Sequence, residues 1–129
     1  GKSGVIVNIS SVLGFNPSSV INPVYNGTKA WTHMFTLNMR TQLEKGGAKV
    51  KVVEIAPPTV ATDLHRERTN PDDNKKENNE GALEISEFMQ EVENGFKEGK
   101  DIIAPGPAKD VVDVWESGMG KKYRAAVSS

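Results

Sequence analysis

The sequence predicts an α/β fold in which three strands of a parallel sheet alternate with three helices. Short β-branched runs and longer segments of helical periodicity follow one another as strand, helix, strand, helix, strand, helix. Such alternation is typical of right-handed βαβ units, in which consecutive strands run parallel. Parallel strands usually have further neighbours and helices on both faces. We therefore expect these 129 residues to form one side of a larger sheet.

The first strand and the first helix are marked by residue type. Residues 5–9 form a β-branched run of the kind found in buried parallel strands. Asn22 suits the N-cap position and Pro23 the first helical position. The helix is predicted over residues 23–45, and Gly46-Gly47 ends it. We expect its apolar residues to be buried, namely Trp31, Met34, Phe35, Leu37 and Leu43.

The middle of the chain contains a second strand and a long polar stretch. Residues 50–55 form the strand, and Pro57-Pro58 stops it because proline lacks the N–H that a sheet needs. Residues 65–82 mix both charge signs and carry almost no apolar residues. This composition is typical of a solvated segment, so we interpret residues 65–82 as a mobile surface loop.

Two helices flanking a brief strand complete the chain. The first of these helices is predicted between a possible Ser86 N-cap and Gly99. One of its faces, which we expect to pack in the core, carries Ile85, Phe88, Met89, Val92 and Phe96. Residues 101–104 form the third strand. The last helix has an apolar face made of Val111, Val112, Val114, Trp115 and Met119.

Composition excludes several classes of site and partner. The sequence has no cysteine, which excludes disulfides, thiolate metal sites and a cysteine nucleophile, and makes the cytoplasm the expected location. The net charge of −1 gives no electrostatic reason to expect nucleic acid or an anionic membrane as a partner. No apolar run approaches the roughly 18 residues of a transmembrane helix. His33 and His65 are not spaced as a helical metal pair, so no metal site is expected.

Tyr25 and Lys29 are candidates for acid–base chemistry. They are spaced i,i+4 near the start of the first helix and therefore project from the same face. A free phenol is a poor acid or base at neutral pH, but a nearby ammonium and the positive end of a helix both stabilise the phenolate. The pair can thus act as a proton donor and acceptor. The plainer alternative is a half-exposed tyrosine packed beside a solvated lysine.

Ser10 and Ser11 directly follow the first strand. This is the carboxyl edge at which open parallel sheets place their ligands. A hydroxyl there can donate to a substrate carbonyl and hold it beside the Tyr25 phenol. The alternative is turn chemistry or helix capping by the two serines.

Three motifs occur in one order along the first half of the chain. They are Asn8-Ile9-Ser10-Ser11-Val12-Leu13-Gly14, Tyr25-Asn26-Gly27-Thr28-Lys29 and Ile55-Ala56-Pro57-Pro58-Thr59-Val60-Ala61-Thr62. These motifs resemble those of the short-chain dehydrogenase/reductase family, in the same order and at nearly the same spacing. The resemblance implies a three-stranded β-α-β-α-β-α portion of a Rossmann-type doubly wound sheet. It also implies hydride transfer between NAD or NADP and a small carbonyl or secondary alcohol, in a family that often forms homo-oligomers through helices of this segment.

The resemblance assigns a role to each motif. Ser11 would polarise the carbonyl, Tyr25 would be the general acid in reduction and the general base in oxidation, and Lys29 would assist Tyr25. The cofactor-binding residues would be Tyr25, Lys29, Pro57, Pro58, Val60 and Thr62, and residues 65–82 would be the substrate loop. Two departures from the family pattern affect the exact position that the cofactor would take. Ser11 and Tyr25 are one position further apart than is usual in the family, and Pro58 replaces a glycine.

The family's phosphate-binding elements are not found in the sequence. No glycine-rich turn occurs, and the residue that distinguishes NAD from NADP is absent with it. We therefore expect residues 1–129 to be the C-terminal catalytic part of such a domain, inactive alone. Two main hypotheses remain: an oxidoreductase, or a truncated, non-catalytic fragment or interaction module of one. A hydrolase using Ser11 as nucleophile and Lys29 as base is a third, which leaves Tyr25 without a role.

Overall fold

The computed structural model describes residues 3–60 and 82–128. These residues form a parallel sheet with helices between its strands, as the sequence predicts. The strands are β1 (Gly4–Ile9), β2 (Val50–Ile55) and β3 (Ile102–Ile103), in the spatial order β1-β2-β3. The helices are α1 (Pro23–Lys45), α2 (Ile85–Lys97), α3 (Ala108–Trp115) and α4 (Lys121–Val127), with a 3-10 helix at Val12–Gly14 and a π-helical turn at Glu116–Gly120.

The register of the sheet brings the ends of β1 and β2 level with each other. Gly4 lies opposite Val50 at one end of the pair, and Ile9 lies opposite Ile55 at the other. Because both strands run in the same direction, the segments that follow them emerge at one edge of the sheet. This edge carries the turn at Ser10-Ser11, called the serine turn, and the loop that contains Pro57-Pro58, called the proline loop.

Helix α1 begins and ends where the sequence predicts. Asn22 occupies the N-cap position and Pro23 the first turn, although the Asn22 amide bonds the Ser19 hydroxyl (Nδ2–Oγ 3.2 Å) and not the helix backbone. After the last turn, Gly47 adopts a φ of 74°. This left-handed conformation favours glycine and ends the helix.

The later helices depart from the sequence prediction at two points. The N-cap of α2 is Glu84, two residues before the predicted Ser86, because Glu84 and Glu87 form a reciprocal capping box. The predicted last helix is interrupted by the π-helical turn, which separates α3 from α4.

The buried face of α1 is mostly polar, which corrects the prediction of an apolar one. Its buried residues are Asn26, His33, Thr36 and Leu37. Of the residues expected there, Leu43 is half-buried, while Trp31, Met34 and Phe35 are exposed. The physical reason is that the sheet presents polar groups to α1. The Asn8 amide donates to Thr36 (Nδ2–Oγ1 3.1 Å), and Glu54 lies 2.9 Å from His33.

Strand β1 is exposed, so the prediction of a buried strand is wrong for this sheet. Its apolar side chains are between 37% and 62% accessible: Val5, Ile6, Val7 and Ile9. Within the described ranges β1 pairs with β2 on one side and is an edge strand on the other. An edge strand with an apolar, accessible surface is a site for further pairing.

The apolar core lies between β2, β3 and α2. It is formed by Val53, Ile55, Val92 and Ile103, with Phe88 packed against it. The rest of the predicted α2 stripe, Ile85, Met89 and Phe96, is exposed because α2 lies over a strand of only two residues. In the last segment Val112 is buried, whereas Val114 and Met119 are exposed. None of the helices in the described part of the chain is long and apolar enough to cross a membrane.

Candidate active site

The Ser10-Ser11 turn is tied to β2 and to the proline loop. The Ser10 N–H donates to the Ile55 carbonyl (2.9 Å), and the Val12 N–H donates to the Pro57 carbonyl (3.0 Å). Ser11 caps the 3-10 helix, because its hydroxyl oxygen accepts from the Leu13 N–H at 3.1 Å. Capping and catalysis are compatible here, since accepting a hydrogen bond leaves the hydroxyl proton available for donation.

Tyr25 and Lys29 lie on the first turns of α1, as their spacing predicts. The Lys29 Nζ is 5.7 Å from the centroid of the Tyr25 ring. The same Nζ donates to the carbonyl of Ile9, the last residue of β1, at 3.2 Å. Tyr25 is 37% exposed, so its phenol is accessible. The lysine ammonium therefore lies between the tyrosine and the end of the strand that leads into Ser11.

Gly14 allows the serine turn to lie directly on the backbone of α1. A Cβ atom at Gly14 would be 2.7 Å from the carbonyl carbon and oxygen of Lys29 and 2.9 Å from the nitrogen of Ala30. Only a residue without a side chain permits this approach. The turn that carries Ser11 and the helix that carries Lys29 are thus in backbone contact. In the sequence, Gly14 was recognised only as part of a motif.

The proline loop follows β2 at the same edge of the sheet. Pro57 and Pro58 are half-buried, and the Pro57 carbonyl accepts from Val12 in the serine turn. Val60 forms an isolated parallel bridge with Leu83. Two expectations fall outside the described residues: Thr62, and the predicted loop over residues 65–82 apart from Ala82 at its end.

A buried polar cluster behind this edge was missed by the sequence analysis. The Ser10 hydroxyl donates to Glu54 (Oγ–Oε2 2.6 Å), and His33 Nδ1 lies 2.9 and 3.0 Å from the two carboxylate oxygens. Glu54 is fully buried. The available signal was an acidic residue inside the otherwise apolar end of β2. No group of three metal-ligating side chains occurs among the residues that the structure describes.

The site combines a hydroxyl donor, a phenol with an adjacent ammonium, and a loop at the carboxyl edge of a parallel sheet. Ser11, Tyr25 and Lys29 belong to connected elements, and Pro57 contacts the serine turn. This donor set suits the nicotinamide and ribose end of a dinucleotide together with a carbonyl group. The pyrophosphate of such a cofactor has no glycine-rich turn in this sequence to receive it.

Comparisons with known proteins bear on the family and the fold of the chain. A family model described as short chain dehydrogenase matches residues 1–73. A Bacillus subtilis (strain 168) protein named uncharacterized oxidoreductase DltE is 39% identical over 98 residues, which cover 76% of this chain and 36% of that protein. The Escherichia coli (strain K12) NADP-dependent 3-hydroxy acid dehydrogenase YdfG is 41% identical over 75 residues, 57% of this chain and 29% of the relative. The chain thus spans about a third of the length of these relatives.

Solved structures show the same fold. A short-chain dehydrogenase from Sphingobium yanoikuyae in complex with NADPH matches 97% of this chain and 45% of its own, with a TM-score of 0.71 and 22% identity. A short chain dehydrogenase from Burkholderia cenocepacia J2315 in complex with NADP matches 98% of this chain and 48% of its own, with a TM-score of 0.63 and 19% identity. The predicted α/β fold, a portion of a Rossmann-type sheet, is confirmed.

Proposed function

The chain belongs to the short-chain dehydrogenase family, and on that premise we propose that it carries the proton-transfer part of an NADP-dependent oxidoreductase. The substrate would be a small carbonyl compound or the corresponding secondary alcohol. The observation that carries the proposal is the hydrogen bond from the Lys29 ammonium to the Ile9 carbonyl at the end of β1. Tyr25 lies on the adjacent turn of α1, and Ser11 follows Ile9 by two residues. We propose NADP, and not NAD, as the cofactor because the relative YdfG is named as NADP-dependent.

Ser11, Tyr25 and Lys29 each have a different role in the proposed reaction. When bound, the cofactor supplies a hydride in reduction and accepts one in oxidation. Ser11 donates a hydrogen bond to the carbonyl oxygen, and Tyr25 transfers its phenolic proton to that oxygen as negative charge develops there. In oxidation Tyr25 takes the proton back. Lys29 stabilises the phenolate left after transfer because its positive charge is held beside the ring.

The same segment would hold one end of the cofactor. Tyr25 and Lys29 face the ribose in this proposal, and Pro57, Pro58, Val60 and Thr62 contribute the loop around the nicotinamide. Residues 65–82 would correspond to the substrate loop of the family. The cytoplasm is the compartment that we propose, because a sequence without cysteine suits a reducing environment.

A second candidate function is favoured by the exposure of β1. A strand whose valines and isoleucines are between 37% and 62% accessible is not covered as parallel strands usually are. We propose that these 129 residues alone do not turn over substrate and act only as part of a larger sheet. Titration of the isolated chain with NADPH, followed by cofactor fluorescence, tests this idea. Micromolar binding with measurable turnover would contradict it.

Self-association through α1 is a further part of the proposal. Trp31 and Phe35 are exposed on this helix, and their rings stack with centroids 4.9 Å apart. An accessible aromatic pair is typical of an interaction surface.

Substitution of Tyr25 tests the main proposal in the full-length protein. Tyr25→Phe removes the transferable proton and keeps the ring, so we expect kcat to fall about 10²–10⁴-fold, the usual contribution of a general acid. NADPH affinity, measured by fluorescence, should fall far less than kcat, because Lys29 and the loop after β2 still hold the cofactor in this proposal. The YdfG-type 3-hydroxy acids are the first substrates to test, because the relative's name specifies them.

A matched control is available in the other tyrosine of the chain. Tyr123 donates to the Leu37 carbonyl (3.1 Å) and bonds the Thr41 hydroxyl (2.7 Å), in the C-terminal half of α1. Tyr123→Phe also deletes one phenolic hydroxyl, but away from the proposed site, and should leave kcat unchanged. Full turnover by Tyr25→Phe would refute the assignment.

A further inference from the structure

We propose that Glu54 and His33 form a positioning unit, which sets the Ser11 hydroxyl relative to the Tyr25 phenol through Ser10. The proposal rests on the proposed function, since it concerns the same site. Glu54 accepts from the Ser10 hydroxyl at 2.6 Å and lies 2.9 Å from His33 Nδ1. Neither Glu54 nor His33 has a part in the proton transfer described above.

The three members of the cluster come from the three elements that build the site. Ser10 follows β1 and immediately precedes Ser11. Glu54 lies in β2, three residues before Pro57. His33 lies on α1, one turn after Lys29 and two turns after Tyr25. A single carboxylate therefore joins the serine turn, the strand before the proline loop and the tyrosine helix.

The burial of Glu54 argues for a positional role. The residue has 0% of its surface accessible, and an ionised carboxylate in such a place is strongly destabilising unless it is well paired. Replacement of buried ionic groups by apolar residues of similar volume is often neutral or stabilising. Stability alone would therefore be served by apolar residues in place of the whole Ser10–Glu54–His33 cluster. What such residues cannot supply is the two hydrogen bonds that orient Ser10 and His33.

The surroundings of His33 leave Glu54 as its orienting partner. The His33 ring lies 3.9 Å from the Phe15 ring and 4.7 Å from the Trp115 ring, centroid to centroid. Its Nε2 is buried and has no hydrogen-bond partner among the described residues. A proton on Nδ1 lets the ring donate to the carboxylate, which accepts from Ser10 as well. The aromatic rings exclude water from this hydrogen bond, which strengthens it.

Removal of the Ser10 hydroxyl tests the proposal with little risk to folding. Ser10→Ala frees the serine turn from Glu54, and misplacement of a reacting group by about 1 Å can cost about 10²-fold in rate. We expect kcat of the full-length protein to fall at least about tenfold. The NADPH KM should stay within about twofold, because Ser10 does not contact the cofactor in the proposed site.

Two substitutions of Glu54 test its two hydrogen bonds. Glu54→Gln keeps an acceptor for Ser10, and its N–H can donate to His33 Nδ1 once the imidazole proton has moved to Nε2, so it should retain kcat within about threefold. Glu54→Leu fills the volume but leaves the buried Ser10 hydroxyl and His33 Nδ1 without their acceptor. Its Tm should therefore fall, and its kcat should fall at least as far as that of Ser10→Ala.

Thr36→Val is the matched control for a buried polar contact between β1 and α1. Thr36 accepts from Asn8 at 3.1 Å and lies one turn after His33, but it is not bonded to the Ser10–Glu54–His33 cluster. The substitution should leave kcat unchanged. A loss of kcat equal to that of Ser10→Ala would overturn the specific role of Glu54.

Amide hydrogen exchange distinguishes failure of this proposal from failure of the proposed function. Ser10→Ala should accelerate exchange at Leu13 by about tenfold or more, because that amide bonds the turn which Ser10 anchors. The Val53 amide in the core should be unaffected. A parent protein without NADPH-dependent turnover would refute the proposed function only. Unchanged Leu13 exchange or unchanged kcat in Ser10→Ala would overturn the positioning unit.

Discussion

Gly14→Ala tests whether the Ser10-Ser11 turn is held by direct backbone contact with α1. The new Cβ would lie 2.7 Å from the Lys29 carbonyl carbon and oxygen, whereas ordinary contacts begin at 3.4 Å. The turn or the helix must therefore move by about 0.7 Å, and both partners are backbone atoms that cannot rotate away. Gly14 does not have a positive φ, so the effect is one of packing and not of backbone conformation.

The expected cost follows from two opposing effects. Overpacking of this kind costs about 1–3 kcal/mol. Restriction of the unfolded chain by alanine offsets about 0.4–1 kcal/mol of it. Because the clash is with backbone atoms, the upper half of the overpacking range applies, and we expect a net loss of about 1–2.5 kcal/mol in the free energy of unfolding. We also expect kcat to fall about tenfold or more, because the displacement separates Ser11 from Tyr25.

Urea unfolding followed by tryptophan fluorescence, together with steady-state kinetics, measures both effects. Gly27→Ala is the control, since a Cβ at Gly27 meets nothing within 4 Å and the residue lies inside α1. Alanine should stabilise that helix by about 0.5–1 kcal/mol. If Gly14→Ala unfolds at the same urea concentration as the parent protein, the inferred close contact does not exist.

Two further substitutions test packing and assembly. Gly95→Ala would place a Cβ 2.7–2.9 Å from three side-chain atoms of Ile103, which is 3% exposed, so we expect a loss of about 1–3 kcal/mol in urea unfolding. Adding Ile103→Val should recover part of that loss, and no recovery would argue against the clash. Trp31→Ser should weaken self-association measured by sedimentation equilibrium, because it removes half of the exposed aromatic pair. A monomeric parent protein would contradict the proposed association.

Local sequence signals predicted the bounds of α1 and the position of Tyr25 and Lys29 on one face of it. Asn22, Pro23 and the two glycines after Lys45 bound α1 correctly, because caps and helix breakers act on their own neighbours. The i,i+4 spacing placed Lys29 beside Tyr25 for the same reason. These features depend on residues within a turn or two of each other.

The burial predictions failed where distant elements meet. Trp31 and Phe35 are apolar, yet the face of α1 that packs on the sheet is the one with His33 and Thr36. Hydrophobic periodicity cannot anticipate this choice, because the partner surface is supplied by Glu54 in another element. Similarly, the β-branched sequence of β1 predicts a buried strand, but the accessibility of its side chains depends on which strands lie beside it.

By itself, the sequence determined the alternating order of strands and helices, the family motifs and the candidate side chains for proton transfer. Each of these is a local pattern of residue types at fixed spacing. Tertiary structure alone decided that Gly14 brings the serine turn onto the Lys29 backbone, and that Ser10, Glu54 and His33 meet behind it. Those contacts join residues 15 to 44 positions apart, and only the parallel pairing of β1 with β2 and the packing of α1 on them set such distances.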